Sequence, residues 1–326
     1  MEKNAKIYIA GHRGLVGSAI HRRLVKLGYN NFLLRTSQEL DLRNAEKVRE
    51  MLMDERPDYL FLAAAKVGGI QANNNYPADF IYDNLSMQNS LIHGSYLAGV
   101  KRLLFFGSSC VYPRECPQPI KEEYLLSGPL EKTNEAYAIA KIAGIKMCES
   151  YYRQYGTKFF AVMPTNLFGP FDNYDLENSH VLPALIRKFH EAKEKKQPKV
   201  TLWGTGNPMR EFLHSDDLAS AAVFLMSLPD EALFKEGFPL INIGCGKDIK
   251  ISELANLIAS IVGYDGKIEW DSTKPDGTPR KLLNVDKLKS LGWQPEISLE
   301  DGIKMTYQSF MAGEIKKTLK METDVE

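Results

Sequence analysis

Short apolar runs alternate with longer segments of helical period through the first half of the chain. Lys6–Ala10, Asn31–Arg35, Tyr59–Ala63, Arg102–Gly107 and Lys158–Pro164 have the length and the apolar, aromatic-rich content of buried strands. Between them, Val16–Leu27, Ala45–Asp54, Phe80–Ala98 and Glu135–Tyr155 return apolar residues every three or four positions, which predicts helices. Strand and helix in strict alternation predict an α/β fold: a Rossmann-type doubly wound parallel sheet covered by helices. From Gly169 onward Pro, Gly and Asn become denser, as in Gly169-Pro170-Phe171-Asp172-Asn173 and Gly204-Thr205-Gly206-Asn207-Pro208. That shift predicts a smaller, loop-rich C-terminal region closing over the sheet.

Composition narrows the classes. The 326 residues are 44% hydrophobic, enough for a sizeable core, and 41 basic residues balance 41 acidic ones. A net charge of zero argues against nucleic acid as a partner, because phosphate neutralisation needs a surplus of Lys and Arg. The apolar run that Gly11 ends is shorter than the core of a signal peptide, and no later run reaches a membrane span. Cys110, Cys116, Cys148 and Cys245 are scattered, without the spacing of a zinc site or a disulfide scaffold. The histidines at 12, 21, 93, 190 and 214 lack carboxylate or cysteine neighbours at metal spacing. The expectation is a cytoplasmic enzyme with no metal.

The first strand runs into Gly11-His12-Arg13-Gly14-Leu15-Val16-Gly17, and a helix follows. Glycines at this spacing allow a tight turn, close approach of a pyrophosphate to the backbone, and tight helix–strand packing, with the helix amides facing the phosphates. A merely structural turn is the competing reading. After the second strand NAD sites carry a carboxylate, whereas an arginine suits a 2′-phosphate. This chain has Arg35-Thr36-Ser37 there and Arg13 inside the glycine loop, which favours NADP(H), unless one of the two is a solvated surface arginine. Asp41 and Leu42 follow at the expected adenine edge.

Tyr137-Ala138-Ile139-Ala140-Lys141 puts a phenol and an ammonium one helical turn apart. A nearby cation favours the phenolate, so such a tyrosine can exchange a proton with a carbonyl or alcohol. The strand ending at Gly107 delivers Ser108-Ser109-Cys110 to a carboxyl end of the sheet. As positions i and i+2 of one strand, Ser108 and Cys110 are expected on one face. Taken alone, Cys110 reads rather as a small core thiol, and His180 equally well as a polar residue opening a helix. Trp203 offers a flat face for a base or sugar and Arg210 a planar fork for a diphosphate; an aromatic plug and a salt bridge to Glu211 or Asp216 would use them as well.

The glycine loop, the serine and Tyr-x-x-x-Lys together resemble the extended short-chain dehydrogenases/reductases. Further segments narrow the resemblance to the GDP-L-fucose synthase family: Ala63-Ala64-Ala65-Lys66-Val67-Gly68-Gly69-Ile70, Ser108-Ser109-Cys110-Val111-Tyr112-Pro113, Pro164-Thr165-Asn166-Leu167-Phe168-Gly169-Pro170, Trp203 to Phe212, and Lys274 to Lys281. The resemblance runs to about Phe310. It implies epimerisation at C3 and C5 of GDP-4-keto-6-deoxy-D-mannose and reduction at C4 by NADPH. It implies Ser108, Tyr137 and Lys141 as the reductase triad, and Cys110 and His180 as the pair exchanging protons. It adds His12, Leu15, Val16, Ser37, Ala63, Ala65, Phe106, Gly107, Pro164, Thr165, Asn166, Leu167 and His180 to the cofactor contacts. Lys188, Trp203, Arg210 and Asp276 are implied at the sugar nucleotide.

Ser37 departs from the pattern, since family members can carry a basic residue there. The superfamily also implies a homodimer through Phe80–Ala98 and Glu135–Tyr155. The expected division is 1–170 and 208–243 for the NADP-binding domain, 171–207 and 244–313 for the substrate-binding domain, and 314–326 for a frayed, charged tail. A 4-epimerase or 4,6-dehydratase is the nearest rival, opposed by Arg13, Arg35 and Ser108-Ser109-Cys110. A catalytically dead NADP sensor is opposed by the presence of both Tyr137 and Lys141.

Overall fold

The computed structural model describes residues 1–176, 179–274 and 276–314. The predicted tail, apart from Glu314, lies outside the described residues. The chain runs β1 (Ile7–Ala10), α1 (Leu15–Lys26), β2 (Phe32–Leu33), α2 (Ala45–Glu55), β3 (Tyr59–Leu62), α3 (Ile70–Asn75), α4 (Pro77–Leu97), β4 (Arg102–Phe106), α5 (Glu135–Tyr155) and β5 (Lys158–Pro164). Every predicted strand and helix of this half is present. The sequence reading missed α3 and began α4 three residues late; Pro77 opens that helix at a position where its missing amide costs nothing.

The six-stranded sheet has the order β2-β1-β3-β4-β5-β9, all parallel, with β9 (Leu240–Ile243) supplied from late in the chain. Its order reverses between β1 and β3, the crevice where doubly wound sheets bind ligands. Strands buried on both faces need unbroken apolar sequence: Ile7–Ala10, Tyr59–Leu62 and Arg102–Phe106 are buried throughout. Fully burying Phe61, Phe105, Phe159 and Phe160 contributes about 1.5–3 kcal/mol each against leaving them in water.

Past β5 come β6 (Asn166–Phe168), α6 (Val181–Glu194), β7 (Lys199–Trp203), β8 (Met209–His214), α7 (Ser215–Ser227) and α8 (Asp230–Leu233) before β9. Then follow β10 (Asp248–Lys250), α9 (Ile251–Val262), β11 (Lys267–Asp271), β12 (Arg280–Lys281), α10 (Asp286–Ser290) and α11 (Leu299–Met311). β8 pairs with β6, β10 and β12, and β7 with β11. A separate core, built on Ile186, Phe189, Leu254 and Ile258, holds this half together. The segment 208–243 is therefore shared: β8 joins the small sheet, whereas α7 packs on α1 and β9 completes the large one.

Candidate active site

The glycine loop follows β1 closely. Gly11 has φ +85°, and a Cβ there would lie 2.8 Å from the Ala64 backbone. A Cβ on Gly17 would lie 2.2 Å from the Gly11 carbonyl oxygen. The loop thus packs backbone on backbone and opens α1 at Gly14, where no side chain caps the helix amides. The first turn of α1 holds no acidic residue and the last holds Arg23 and Lys26, which leaves the positive end of the helix open to an anion. His12 presents a buried Nδ1 with no partner. This cradle fits a dinucleotide pyrophosphate.

The two arginines differ. Arg13 is exposed, with no carboxylate in ion-pair range among the described residues. Arg35 donates from Nη2 to Glu55 at 2.7 Å and from Nη1 to the Leu34 carbonyl at 3.2 Å. Ser37 and Asp41 are exposed, and Asp41 is held by Arg43 at 2.8 Å; Leu42 packs against the core. Ala63 and Ala65 lie just past β3, on a loop pinned where Lys66 meets Asp79 and Asp83 at 2.9 and 3.0 Å.

Past β4 and Gly107, Ser108 is extended and Ser109–Val111 form a 3₁₀ turn. The expected strand alternation therefore does not operate at Cys110. A turn places it instead: the Cys110 amide donates to Ser108 Oγ at 3.2 Å. Tyr112, two residues on, is buried and donates to Asn242 on β9 at 2.6 Å, which anchors the turn to the sheet. Opposite, α5 carries Tyr137 and Lys141 toward this turn. Tyr137 shares a hydrogen bond with Ser108. Lys141 Nζ lies 5.9 Å from the Tyr137 ring centroid and donates to the Phe106 carbonyl at 2.9 Å.

The electrostatics depart from the sequence reading. Burial raises the Tyr137 pKa above the ordinary phenol value, Cys110 adds to the rise, and the Ser108 hydrogen bond opposes it. Lys141 is 3% exposed, and burial pushes its pKa down to about 7. A cation that is itself half-titrated near neutrality does little to draw out a phenolate. His180 stands at the N-cap of α6; part of its surface meets solvent, yet the protein packed around it lowers its pKa. Among the described residues no hydrogen bond joins it to Cys110 or Tyr137.

The small sheet supplies a cationic wall. β12 runs beside β8 with Lys281 opposite Arg210, and Lys281 Nζ reaches Cys110 Sγ at 3.7 Å. Burial lowers the Arg210 pKa, and its proximity to Cys110 and Asp276 opposes that fall. Asp276 is already occupied, accepting from the Thr205 amide at 2.7 Å and its hydroxyl at 2.8 Å. Trp203, 57% exposed, has Lys188 and Lys274 ammonium groups 5.7 and 5.6 Å from its ring centre. Pro164 closes β5, Thr165 and Asn166 both donate to the Glu211 carbonyl, and Leu167 lies in β6, which ties β5 to β8. Sequence reasoning missed Lys281, Lys274 and Asn134, whose amide nitrogen donates to Cys110 Sγ at 3.3 Å.

The profile of the NAD dependent epimerase/dehydratase family matches residues 7–244. A GDP-L-fucose synthase of Escherichia coli K12 is 54% identical over 94% of this chain and 96% of its own. GDP-L-fucose synthase 1 of Arabidopsis thaliana is 56% identical over 95% of this chain and 94% of its own. The chain belongs to the NAD dependent epimerase/dehydratase family, among its GDP-L-fucose synthases. A solved relative, the GDP-mannoheptose C4 reductase of Campylobacter jejuni with NADP bound, is 44% identical with a TM-score of 0.87, covering 95% of this chain and 99% of that one. In this chain the fold places Lys281 and Asn134 beside Cys110.

Proposed function

We propose that the chain converts GDP-4-keto-6-deoxy-D-mannose into GDP-L-fucose, inverting C3 and C5 and then reducing the C4 ketone. The observation that carries the reading is the convergence of Ser108, Cys110, Tyr137 and Lys141 past β4, in a chain more than half identical to GDP-L-fucose synthases. NADPH, when bound in the glycine cradle, supplies the hydride.

Protons alpha to a ketone are acidic, more so when donors hold the carbonyl oxygen. Tyr137 and Ser108 hold that oxygen. Cys110, as the thiolate, takes the proton from one face of the carbon while the electron pair moves onto the C4 oxygen; as the pair returns to carbon, His180 in its protonated form gives a proton to the other face. Solvent then takes the proton from Cys110 and restores one to His180, and a second round inverts the second carbon. Tyr137 then gives its proton to the C4 oxygen as the ketone becomes an alcohol. Its raised pKa keeps it protonated at neutral pH, as a donor must be. Arg210 opposes the diphosphate charge, and Lys188, Trp203 and Asp276 line the nucleotide end.

The same reading divides the work as 1–170 with 208–243 for NADP and 171–207 with 244–313 for the sugar nucleotide. It makes the chain a cytoplasmic homodimer through α4 and α5. Among the described residues no helix is long and apolar enough to cross a membrane, and Tyr82, Leu97, Ile139 and Tyr155 leave apolar surface on α4 and α5 for a second copy. Consumption of NADPH with GDP-4-keto-6-deoxymannose, and none with UDP-glucose, tests the proposal. Turnover of UDP-glucose alone would sink it in favour of a 4-epimerase.

NADPH is expected to bind at least about tenfold better than NADH, one charge-assisted contact in a partly wet site contributing about 1.5–3 kcal/mol. Arg13→Ala should erase most of that preference, because its guanidinium makes no ion pair among the described residues whereas Arg35 must first release Glu55. Titration of both cofactors checks this; an unchanged ratio in Arg13→Ala would assign the discrimination elsewhere.

A further inference from the structure

Asn134 is an unusual helix start. It occupies the N-cap position of α5, where an asparagine side chain ordinarily accepts from the first helix amides, yet it makes no such bond. Its amide nitrogen instead donates to Cys110 Sγ at 3.3 Å. Its Oδ1 is buried and has no partner. A buried, unpartnered acceptor is costly and calls for a ligand that satisfies it.

The turn that presents Asn134 is built independently of α5. Lys132–Asn134 form a 3₁₀ turn capped by Glu131, whose carboxylate accepts from the Thr133 amide and hydroxyl at 3.3 Å and meets Arg114 at 3.4 Å. Cys110 is fixed from its own side by Ser108 and by the anchored Tyr112. Lys281 Nζ, from β12, is a second donor to the same sulfur at 3.7 Å. Two donors from two separate elements therefore aim at one sulfur.

We propose that Asn134 is the positioning residue for proton exchange: its Nδ2 fixes the Cys110 sulfur, and its orphaned Oδ1 receives a hydroxyl of the bound hexose. The inference rests on the functional reading above and adds a group to it. A sulfur whose lone pairs are directed by Asn134 and Lys281 keeps one direction for a substrate C–H bond. When that proton arrives the sulfur becomes a thiol and the electron pair passes to the C4 oxygen; no oxidant or reductant is needed. Hydride transfer uses Tyr137, Ser108 and Lys141, none of which Asn134 touches among the described contacts.

The test compares wild type with Asn134→Asp, which keeps size and an acceptor oxygen but loses the donor, and with Asn134→Leu, which loses both. Each is loaded with NADP⁺ and GDP-4-keto-6-deoxymannose in D₂O. Deuterium entry at C3 and C5 should slow by about tenfold or more in both variants. Alkylation of Cys110 by iodoacetamide, followed by mass on its peptide, should slow by about fivefold in both, since it reads the state of that sulfur alone. The NADPH dissociation constant should stay within about twofold of wild type, and KM for the sugar nucleotide should rise in Asn134→Leu only. Wild-type exchange and alkylation in Asn134→Asp would overturn the proposal. So would a loss of exchange matched by an equal loss of NADPH binding, which marks a structural role. If wild type itself exchanges nothing with this substrate, the functional reading fails, while the alkylation ratio still decides the Asn134–Cys110 contact.

Discussion

Cys110→Ser is expected to slow deuterium entry into C3 and C5 by about a hundredfold or more while leaving hydride transfer competent. The hydroxyl keeps the shape of the side chain and its place on the Ser109–Val111 turn, but an alcohol is a far poorer base near neutrality than a thiolate. Tyr137→Phe should do the reverse, removing the proton donor for the C4 oxygen while Cys110 stays in place. In D₂O the phenylalanine variant exchanges protons and consumes little NADPH. The serine variant exchanges slowly and reduces the ketone before inversion, giving a GDP-6-deoxyhexose other than L-fucose. Exchange at the wild-type rate in Cys110→Ser would make Cys110 a core residue and give the base's role to another group.

Lys141→Met should slow reduction, by removing the ammonium 5.9 Å from the Tyr137 ring, and at the same time stabilise the ligand-free protein. Among the described residues Lys141 is buried without a carboxylate partner and donates to the Phe106 carbonyl alone, and its pKa falls from 10.5 to about 7 through burial. Between these two values the folded state binds fewer protons than the unfolded chain, so this group makes stability rise with pH from about 7 to 10.5. Below about 7 it is charged in both states and its cost to folding is complete. Methionine fills similar volume without that charge. Its Tm at pH 7 should exceed wild type by a few degrees, roughly 2–4 °C per kcal/mol for a chain of this class, and its Tm should climb less steeply between pH 7 and 10. A lower Tm at pH 7 with an unchanged pH slope would mean that the ammonium is solvated or paired in the ligand-free protein.

The first half of the chain was legible because its elements are bounded by local chemistry. The expected Glu135–Tyr155 matches α5 to the residue: acidic Glu135 opens its first turn, and Gly156 supplies the left-handed stop, φ +67°. The five strands announce themselves as apolar runs because both faces are covered. The small sheet does not. β12 is two residues long, and β8 is recognised only by partners 35 or more positions away, so neither carries a periodic signal.

The same distinction governs the site. Ser108, Cys110, Tyr137 and Lys141 were found through short motifs, but Lys281 reaches Cys110 across 171 residues of chain. Asn134 carries no motif; only the fold shows that its side chain leaves the helix amides uncapped and turns to Cys110. The expected lowering of the Tyr137 pKa failed for a related reason: spacing along a helix shows that Lys141 is near, whereas burial, which weakens the cation, belongs to the folded site.

On the proposed mechanism one pocket both inverts C3 and C5 and reduces C4. Incubating wild type with GDP-4-keto-6-deoxymannose and NADPH in D₂O and reading the product by proton NMR tests this. The expected product is GDP-L-fucose with deuterium at C3 and C5 and protium at C4. A GDP-6-deoxyhexose that keeps protium and its original configuration at C3 and C5 would contradict it and leave the protein a C4 reductase alone.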